Sequence, residues 1–97
     1  MTRLAEISFR VIGDSGPLSI YFYPGPYGYA VDAGNKIGVG WFSQTGELLG
    51  VEFDDVDKKQ DYQFLDFDDY RVEVWIKKGK IKYQVVKKEK RKQAANE

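Results

Sequence analysis

Hydrophobic and polar residues alternate along most of the chain, and this period of two is typical of β-strands. The alternation is cleanest over residues 70–77 and 80–86, which are separated by Lys78 and Gly79. A two-residue link of this kind suits a primed turn, because glycine accepts a positive φ. The pattern predicts a hairpin with six apolar side chains on one face, in the pairs Ile76–Ile81, Val74–Tyr83 and Val72–Val85. The opposite face would carry the pairs Trp75–Lys82 and Glu73–Gln84.

A second hairpin is predicted around residues 44–46, with Gly46 in the left-handed conformation of a three-residue loop. The loop length predicts the pairs Trp41–Leu49, Val39–Val51 and Ile37–Phe53. Gly40 would then face Gly50 on the opposite side. Glycines inside strands mark bends, bulges or close approaches. The glycines in this hairpin therefore predict a bare patch, either under a packed aromatic ring or at the corner of a barrel.

Further strands are predicted at 7–11 and 18–22, joined by the turn-rich segment 13–17, and at 29–32 and 62–67. The first two would pair Val11 with Leu18, Phe9 with Ile20 and Ile7 with Phe22. The chain then has seven or eight short strands and no amphipathic helix. This spacing predicts an all-β domain over residues 1–86, an antiparallel meander closed into a barrel or a sandwich. Residues 87–97 are expected to form a basic tail, as frayed helix or disordered chain.

The absence of cysteine and histidine narrows the chemistry that the chain can perform. Disulfides, thiolate nucleophiles and cysteine metal sites are excluded, and so are the commonest general base and zinc ligand. The sequence also lacks a nucleophile elbow, a phosphate-binding loop and a dinucleotide fingerprint. We therefore expect a protein that is not an enzyme and needs no cofactor. The charged N-terminus and the lack of a long apolar run predict a cytoplasmic protein.

The charges are strongly segregated although they sum to zero. Residues 52–70 contain eight acidic residues against two lysines, and residues 71–97 contain ten basic residues against three acidic ones. The spacing of the acids does not fit a calcium-binding loop, so no metal site is predicted. The acidic segment is either a solvated loop or a surface for a basic partner, for which the candidate residues are Asp54, Asp55 and Asp57.

The basic C-terminal region is a candidate for binding nucleic acid, because clustered lysines attract phosphates and an exposed tryptophan can stack on a base. The candidate residues are Trp75, Lys78, Lys80, Lys82, Lys87, Lys88, Lys90 and Arg91. Lysines on an edge strand also protect against aggregation, and a lysine-rich tail is often only a solubilising segment. Contact with an acidic protein, or with the chain's own acidic segment, is a further alternative.

Four tyrosines, at positions 21, 23, 27 and 29, surround a Pro/Gly turn. Core alternation uses Phe22, which places Tyr21 and Tyr23 on the opposite face, and exposed tyrosines suit recognition. They are either ordinary core tyrosines or a binding surface together with Tyr27 and Tyr29. Our main hypothesis is a non-catalytic protein-interaction module, such as a small regulator or inhibitor of a larger complex. It would use these tyrosines and the acidic segment; nucleic-acid binding and a homodimer are the alternatives.

Residues 39–56 resemble the hairpin of the YuzE-like family of short, uncharacterised proteins. The matching positions are Gly46, Leu48, Gly50, Val51 and Glu52, after a strand and before an acidic cluster. Ser43, Gln44 and Thr45 stand where the family usually has Asp before the turn glycine. The resemblance covers about a fifth of the chain and implies a small β fold without an assigned activity.

Overall fold

The computed structural model describes residues 5–23 and 28–88, which form eight β-strands and contain no helix. The strands are β1 (Glu6–Phe9), β2 (Ser15–Tyr21), β3 (Tyr29–Asp32), β4 (Gly38–Phe42), β5 (Leu48–Asp57), β6 (Gln60–Asp66), β7 (Tyr70–Lys77) and β8 (Lys80–Lys87). Every paired strand is antiparallel to its neighbour. The predicted all-β class is therefore confirmed.

The strands form two sheets, and within the described residues neither sheet closes into a barrel. The first sheet has the order β1-β2-β5-β4-β3, and the second has the order β6-β7-β8. Both contribute fully buried side chains to one hydrophobic core. The largest are Leu18, Ile20, Val51, Phe53 and Val56 from the first sheet and Leu65, Val72, Val74 and Ile76 from the second. Burial of this apolar surface is the main force that holds the two sheets together.

The hairpin of β7 and β8 has the predicted register at every position. Its turn residues, Lys78 and Gly79, have φ angles of 53° and 78°, as a primed two-residue turn requires. Val72, Val74 and Ile76 are buried, and Trp75 lies opposite Lys82 on the outer face. This hairpin therefore follows from local sequence alone.

The hairpin of β4 and β5 departs from the prediction one residue beyond its turn. Phe42 pairs with Leu48 and Gly46 has a positive φ of 89°, as expected. A β-bulge then leaves Leu49 as an extra residue, so that Trp41 pairs with Gly50. The predicted pairs Trp41–Leu49, Val39–Val51 and Ile37–Phe53 are wrong, and so is the pairing of Gly40 with Gly50.

The reason for this bulge lies in the second sheet. Gly38 and Gly40 face the core, where they make room for Leu65 and Phe67. A Cβ atom on Gly40 would lie 2.8 Å from Cζ of Phe67. The extra residue Leu49 reverses the faces of the β5 residues that follow it, so Val51 and Phe53 share the core face with Gly38 and Gly40 while Trp41 points outward. The predicted glycine patch under a packed aromatic ring is present at Gly40.

The hairpin of β1 and β2 is tighter than predicted. Ile12 donates a backbone hydrogen bond of 3.0 Å to Ser15, which makes Gly13 and Asp14 the turn. The observed pairs Phe9–Leu18 and Ile7–Ile20 differ from the predicted ones by two residues. The predicted pairs Val11–Leu18, Phe9–Ile20 and Ile7–Phe22 are wrong. Since side chains alternate with a period of two, this difference keeps the same residues on the same face.

The remaining predicted segments fall as follows. Residues 29–32 form β3, and the strand predicted at 62–67 is β6, which begins at Gln60. β8 continues to Lys87, and the predicted tail beyond Lys88 lies outside the described residues. Over residues 5–23 and 28–88 there is no helix long and apolar enough to cross a lipid bilayer.

Candidate nucleic-acid interface

The outer face of the second sheet carries aromatic side chains that the core does not use. Alternation along β7 buries Val72, Val74 and Ile76, and so directs Trp75 away from the core. The ring of Tyr62 on β6 lies beside Trp75, with 5.5 Å between the centroids. Tyr62 remains 45% exposed and Trp75 36% exposed. Exposed rings on a sheet are surfaces on which nucleotide bases can stack.

A third ring extends this row along β6. The Phe64 centroid lies 6.5 Å from that of Tyr62, and Cζ of Arg71 lies 3.9 Å above the centre of the Phe64 ring. We call Tyr62, Phe64 and Trp75 the aromatic platform. Tyr62 and Phe64 lie on β6, which pairs with β7, the central strand that carries Trp75, so regular backbone hydrogen bonds hold the three residues in place.

A polar network crosses the platform. The hydroxyl of Tyr62 donates a hydrogen bond of 2.6 Å to Oε2 of Glu73. Nε of Arg71 lies 3.8 Å from the same oxygen. The contacts constrain the Tyr62 ring and the Glu73 carboxylate together, because each side chain limits the rotamers of the other. Sequence analysis placed Glu73 opposite Gln84 but gave it no role.

Lysines surround one end of the platform. Lys77, Lys78, Lys80 and Lys82 line, with Trp75, a surface depression of about 380 Å³. The structure therefore brings together four of the predicted nucleic-acid residues, namely Trp75, Lys78, Lys80 and Lys82. Clustered ammonium groups of this kind can contact the phosphates of a nucleic acid.

Two more lysines reach this region from another part of the chain. The amide of Gly79 donates a hydrogen bond of 3.4 Å to the carbonyl oxygen of Lys59. The turn of Lys58 and Lys59 is thus adjacent to the turn of Lys78 and Gly79. We call the six lysines of the two turns and their flanks the lysine end: Lys58, Lys59, Lys77, Lys78, Lys80 and Lys82. Sequence reasoning missed Lys58 and Lys59 because they stand among acids. The antiparallel pairing of β6 with β7 is what places them here, since it sets the start of β6 beside the end of β7.

Of the three predicted acidic residues, Asp57 stands next to the lysine end, and its side chain binds backbone amides. Oδ1 of Asp57 accepts hydrogen bonds from the amides of Lys59 at 2.8 Å and Gln60 at 3.2 Å. These bonds lower the pKa of Asp57, and the nearby lysine charges lower it further. Asp54 and Asp55 are exposed residues of β5, so residues 52–57 form a strand where a loop was one expectation.

The other predicted basic residues lie elsewhere. Lys87 pairs with Tyr70 at the far end of β8, about 23 Å along the strand from Lys80 at about 3.3 Å per residue. Nζ of Lys88 lies 2.6 Å from Oδ1 of Asp66 and donates a second bond of 2.6 Å to the carbonyl of Phe67. Lys90 and Arg91 lie outside the described residues.

The predicted tyrosine surface is divided between two faces of the first sheet. Tyr21 lies on the outer face with Trp41, with 5.7 Å between the ring centroids. Tyr29 pairs with the buried Phe42 and so points to the core side. Tyr23 is exposed beyond the end of β2, and Tyr27 lies outside the described residues. Asp57 pairs with Ser15 at the opposite end of β2 from Tyr21, so the tyrosines and these acids do not form one site.

Tyr29 instead lines a cleft at the edge of the two sheets. The cleft has a volume of about 270 Å³, and Tyr29 is 55% exposed in it. Apolar side chains from both sheets and four aspartates share its lining. The apolar ones are Val31, Phe42 and Phe67, and the aspartates are Asp32, Asp66, Asp68 and Asp69. We call it the acidic cleft.

Within residues 5–23 and 28–88, no group of three or more acidic side chains has the geometry to hold a metal ion. No family model, curated protein or solved structure matches the chain. The resemblance of residues 39–56 to the YuzE-like family therefore stays a prediction.

Proposed function

We propose that this protein binds single-stranded nucleic acid on the outer face of its second sheet. The observation that carries the proposal is the position of two exposed, neighbouring rings, Tyr62 and Trp75, beside the lysine end. Bases would stack on the rings while lysines contact the phosphates. A base stacked on an aromatic side chain contributes about 1–3 kcal/mol, which is enough for two rings to determine affinity.

The location of the rings supports binding of single strands in particular. The exposed rings of a three-stranded face are accessible to unpaired bases, whereas bases in a duplex are already stacked on each other. The lysines supply point charges without the planar geometry by which arginine reads phosphate and base edges. Affinity should therefore depend strongly on salt.

Fluorescence anisotropy with a labelled strand of about eight nucleotides, within the usual site size of small β domains, tests the proposal. We expect binding at low salt that weakens as salt rises. Trp75→Ala should weaken binding by roughly 5- to 150-fold, the equivalent of about 1–3 kcal/mol. Tyr83→Ala is the matched control, because Tyr83 is an exposed aromatic on the other face of the same sheet. Absence of binding by the intact protein at low salt would contradict the proposal.

A protein-interaction role is a second proposal, and the acidic cleft favours it. Tyr29 offers an exposed ring above an apolar floor, and the aspartates would attract a basic partner. The cleft would suit a basic peptide with one apolar side chain. Titration with a lysine-rich peptide tests this: Tyr29→Ser together with Asp68→Asn should weaken binding, and Asp54→Asn, outside the cleft, should not. Equal affinity for all three proteins would contradict the role of the cleft.

A further inference from the structure

Glu73 is a negative charge on a face that otherwise suits a polyanion. It lies two residues before Trp75 on the same side of β7, and its side chain is 19% exposed. A carboxylate at this place repels phosphates, and so it reduces the affinity for a nucleic-acid backbone. The structure nevertheless holds it firmly, through the hydroxyl of Tyr62 at 2.6 Å and the guanidinium of Arg71 at 3.8 Å. Both contacts are made by Oε2, and neither involves Oε1.

The chemistry of an ionised carboxylate limits what it can recognise. Its two oxygens only accept hydrogen bonds, so it pairs best with two donors that lie side by side. The Watson–Crick edge of guanine presents such a pair, the N1–H and the N2 amino group. Adenine and cytosine place a ring-nitrogen acceptor beside their amino group, and uracil or thymine places carbonyl oxygens beside N3–H. These acceptors would face the carboxylate and be repelled by it.

The spacing on β7 brings such an edge within reach. Residues two apart on a strand lie about 6.6 Å from each other on the same face, at about 3.3 Å per residue. This separation is comparable to the length of a purine. A purine stacked on Trp75 can therefore extend its Watson–Crick edge to Glu73. Pyrimidines are shorter and reach less far.

We propose that Glu73 selects guanine among the bases that stack on Trp75. This inference rests on the proposed function of the platform and names the base that it prefers. Tyr62 has two roles in this selection of guanine. Its ring belongs to the stacking surface, and its hydroxyl positions the carboxylate.

The test compares strands of about eight thymines that carry one central guanine, inosine or adenine, or none, a length within the usual site size. We expect the guanine strand to bind roughly tenfold more tightly than the adenine strand, within the range of a bidentate contact to a base edge. Inosine, which lacks the N2 amino group, should fall between the two. Glu73→Gln should remove the preference and strengthen binding of the all-thymine strand, because it removes the negative charge. Glu52→Gln is the matched control in the first sheet, where the residue is half-buried in β5.

Tyr62→Phe separates positioning from folding, because it keeps the ring and removes only the hydroxyl. We expect it to reduce the ratio of the guanine-strand affinity to the adenine-strand affinity. Equal affinity of the intact protein for guanine and adenine strands, with the all-thymine strand also bound, would overturn the selection of guanine and leave the proposed function standing. No binding of any strand would overturn both.

Discussion

The backbone amide of Gly79 donates a hydrogen bond of 3.4 Å to the carbonyl oxygen of Lys59. This bond joins the turn between β7 and β8 to the turn between β5 and β6. Strand β6 starts at Gln60, which pairs with Lys77 at the end of β7. The turn before β6 and the turn after β7 therefore lie at the same end of the sheet. The lysines of a segment that is acidic in sequence thereby join the basic hairpin. The grouping of charges on the folded surface is consequently different from their grouping along the sequence.

This arrangement predicts that Lys59 contributes to nucleic-acid binding as Lys82 does. Lys59→Gln should weaken binding and lower the slope of log affinity against log salt by about 0.7, the value for one phosphate contact on a single strand. Lys87→Gln, at the far end of β8, is the control and should leave the slope unchanged. Anisotropy titrations at several salt concentrations measure this slope for the intact protein and for both variants. A slope that responds to Lys87 and not to Lys59 would place the phosphates elsewhere.

The packing of Phe67 on Gly40 predicts an energetic coupling between the two sheets. Gly40→Ala should destabilise the protein by about 1–3 kcal/mol, because the new methyl group collides with the Phe67 ring. Phe67→Leu should partly relieve this collision, so the double variant should be more stable than the sum of the single changes predicts, by about 0.5–3 kcal/mol. Urea denaturation measures the free energies of unfolding. Phe9→Leu, on β1, should combine additively with Gly40→Ala, and similar coupling there would argue against a direct contact.

The turn between β7 and β8 contains a strained residue that can be improved. Lys78 has a φ of 53°, a conformation that costs most L-residues about 1–2 kcal/mol and that asparagine adopts more readily. Lys78→Asn should therefore raise the free energy of unfolding by about 0.5–1 kcal/mol, since asparagine followed by glycine is the preferred primed turn. Lys80→Asn removes the same charge outside the turn and should not stabilise the protein. Thermal denaturation of both variants separates the backbone effect from the charge effect.

Asp57 predicts a dependence of stability on acid pH. The amides of Lys59 and Gln60 stabilise its charged form and hold its pKa below the ordinary value of 3.8. The stabilisation that the charged Asp57 gives to the folded state is therefore complete above pH 3.8. It is lost as the pH falls through the lower pKa that Asp57 has in the folded protein. As the pH falls below 3.8, denaturant midpoints should fall more steeply in the intact protein than in Asp57→Asn. Asp54→Asn should keep the steeper dependence, and parallel curves for all three proteins would rule out this role of Asp57.

The sequence alone was sufficient for the all-β class and for the hairpin of β7 and β8. Both depend on interactions that are local in the chain. The Lys78–Gly79 turn sets the register, and the apolar alternation then selects the buried face without reference to any other strand. The same hairpin carries Trp75 and Lys82, so part of the candidate site was predictable with it. The register next to Gly46 was also predictable, for the same reason, but only as far as Phe42.

From Trp41 onward, the register between β4 and β5 depends on the tertiary structure. Leu65 lies on β6 and Phe67 directly follows that strand, and their need for space above Gly38 and Gly40 is met by a bulge that no local pattern encodes. The place of Lys59 beside Gly79, and the separation of Tyr21 from Tyr29 onto two faces, have the same origin. A turn is determined by the torsion preferences of its own few residues. Which faces become buried, and which charges become neighbours, depends on the free energy of packing two sheets that are distant in sequence.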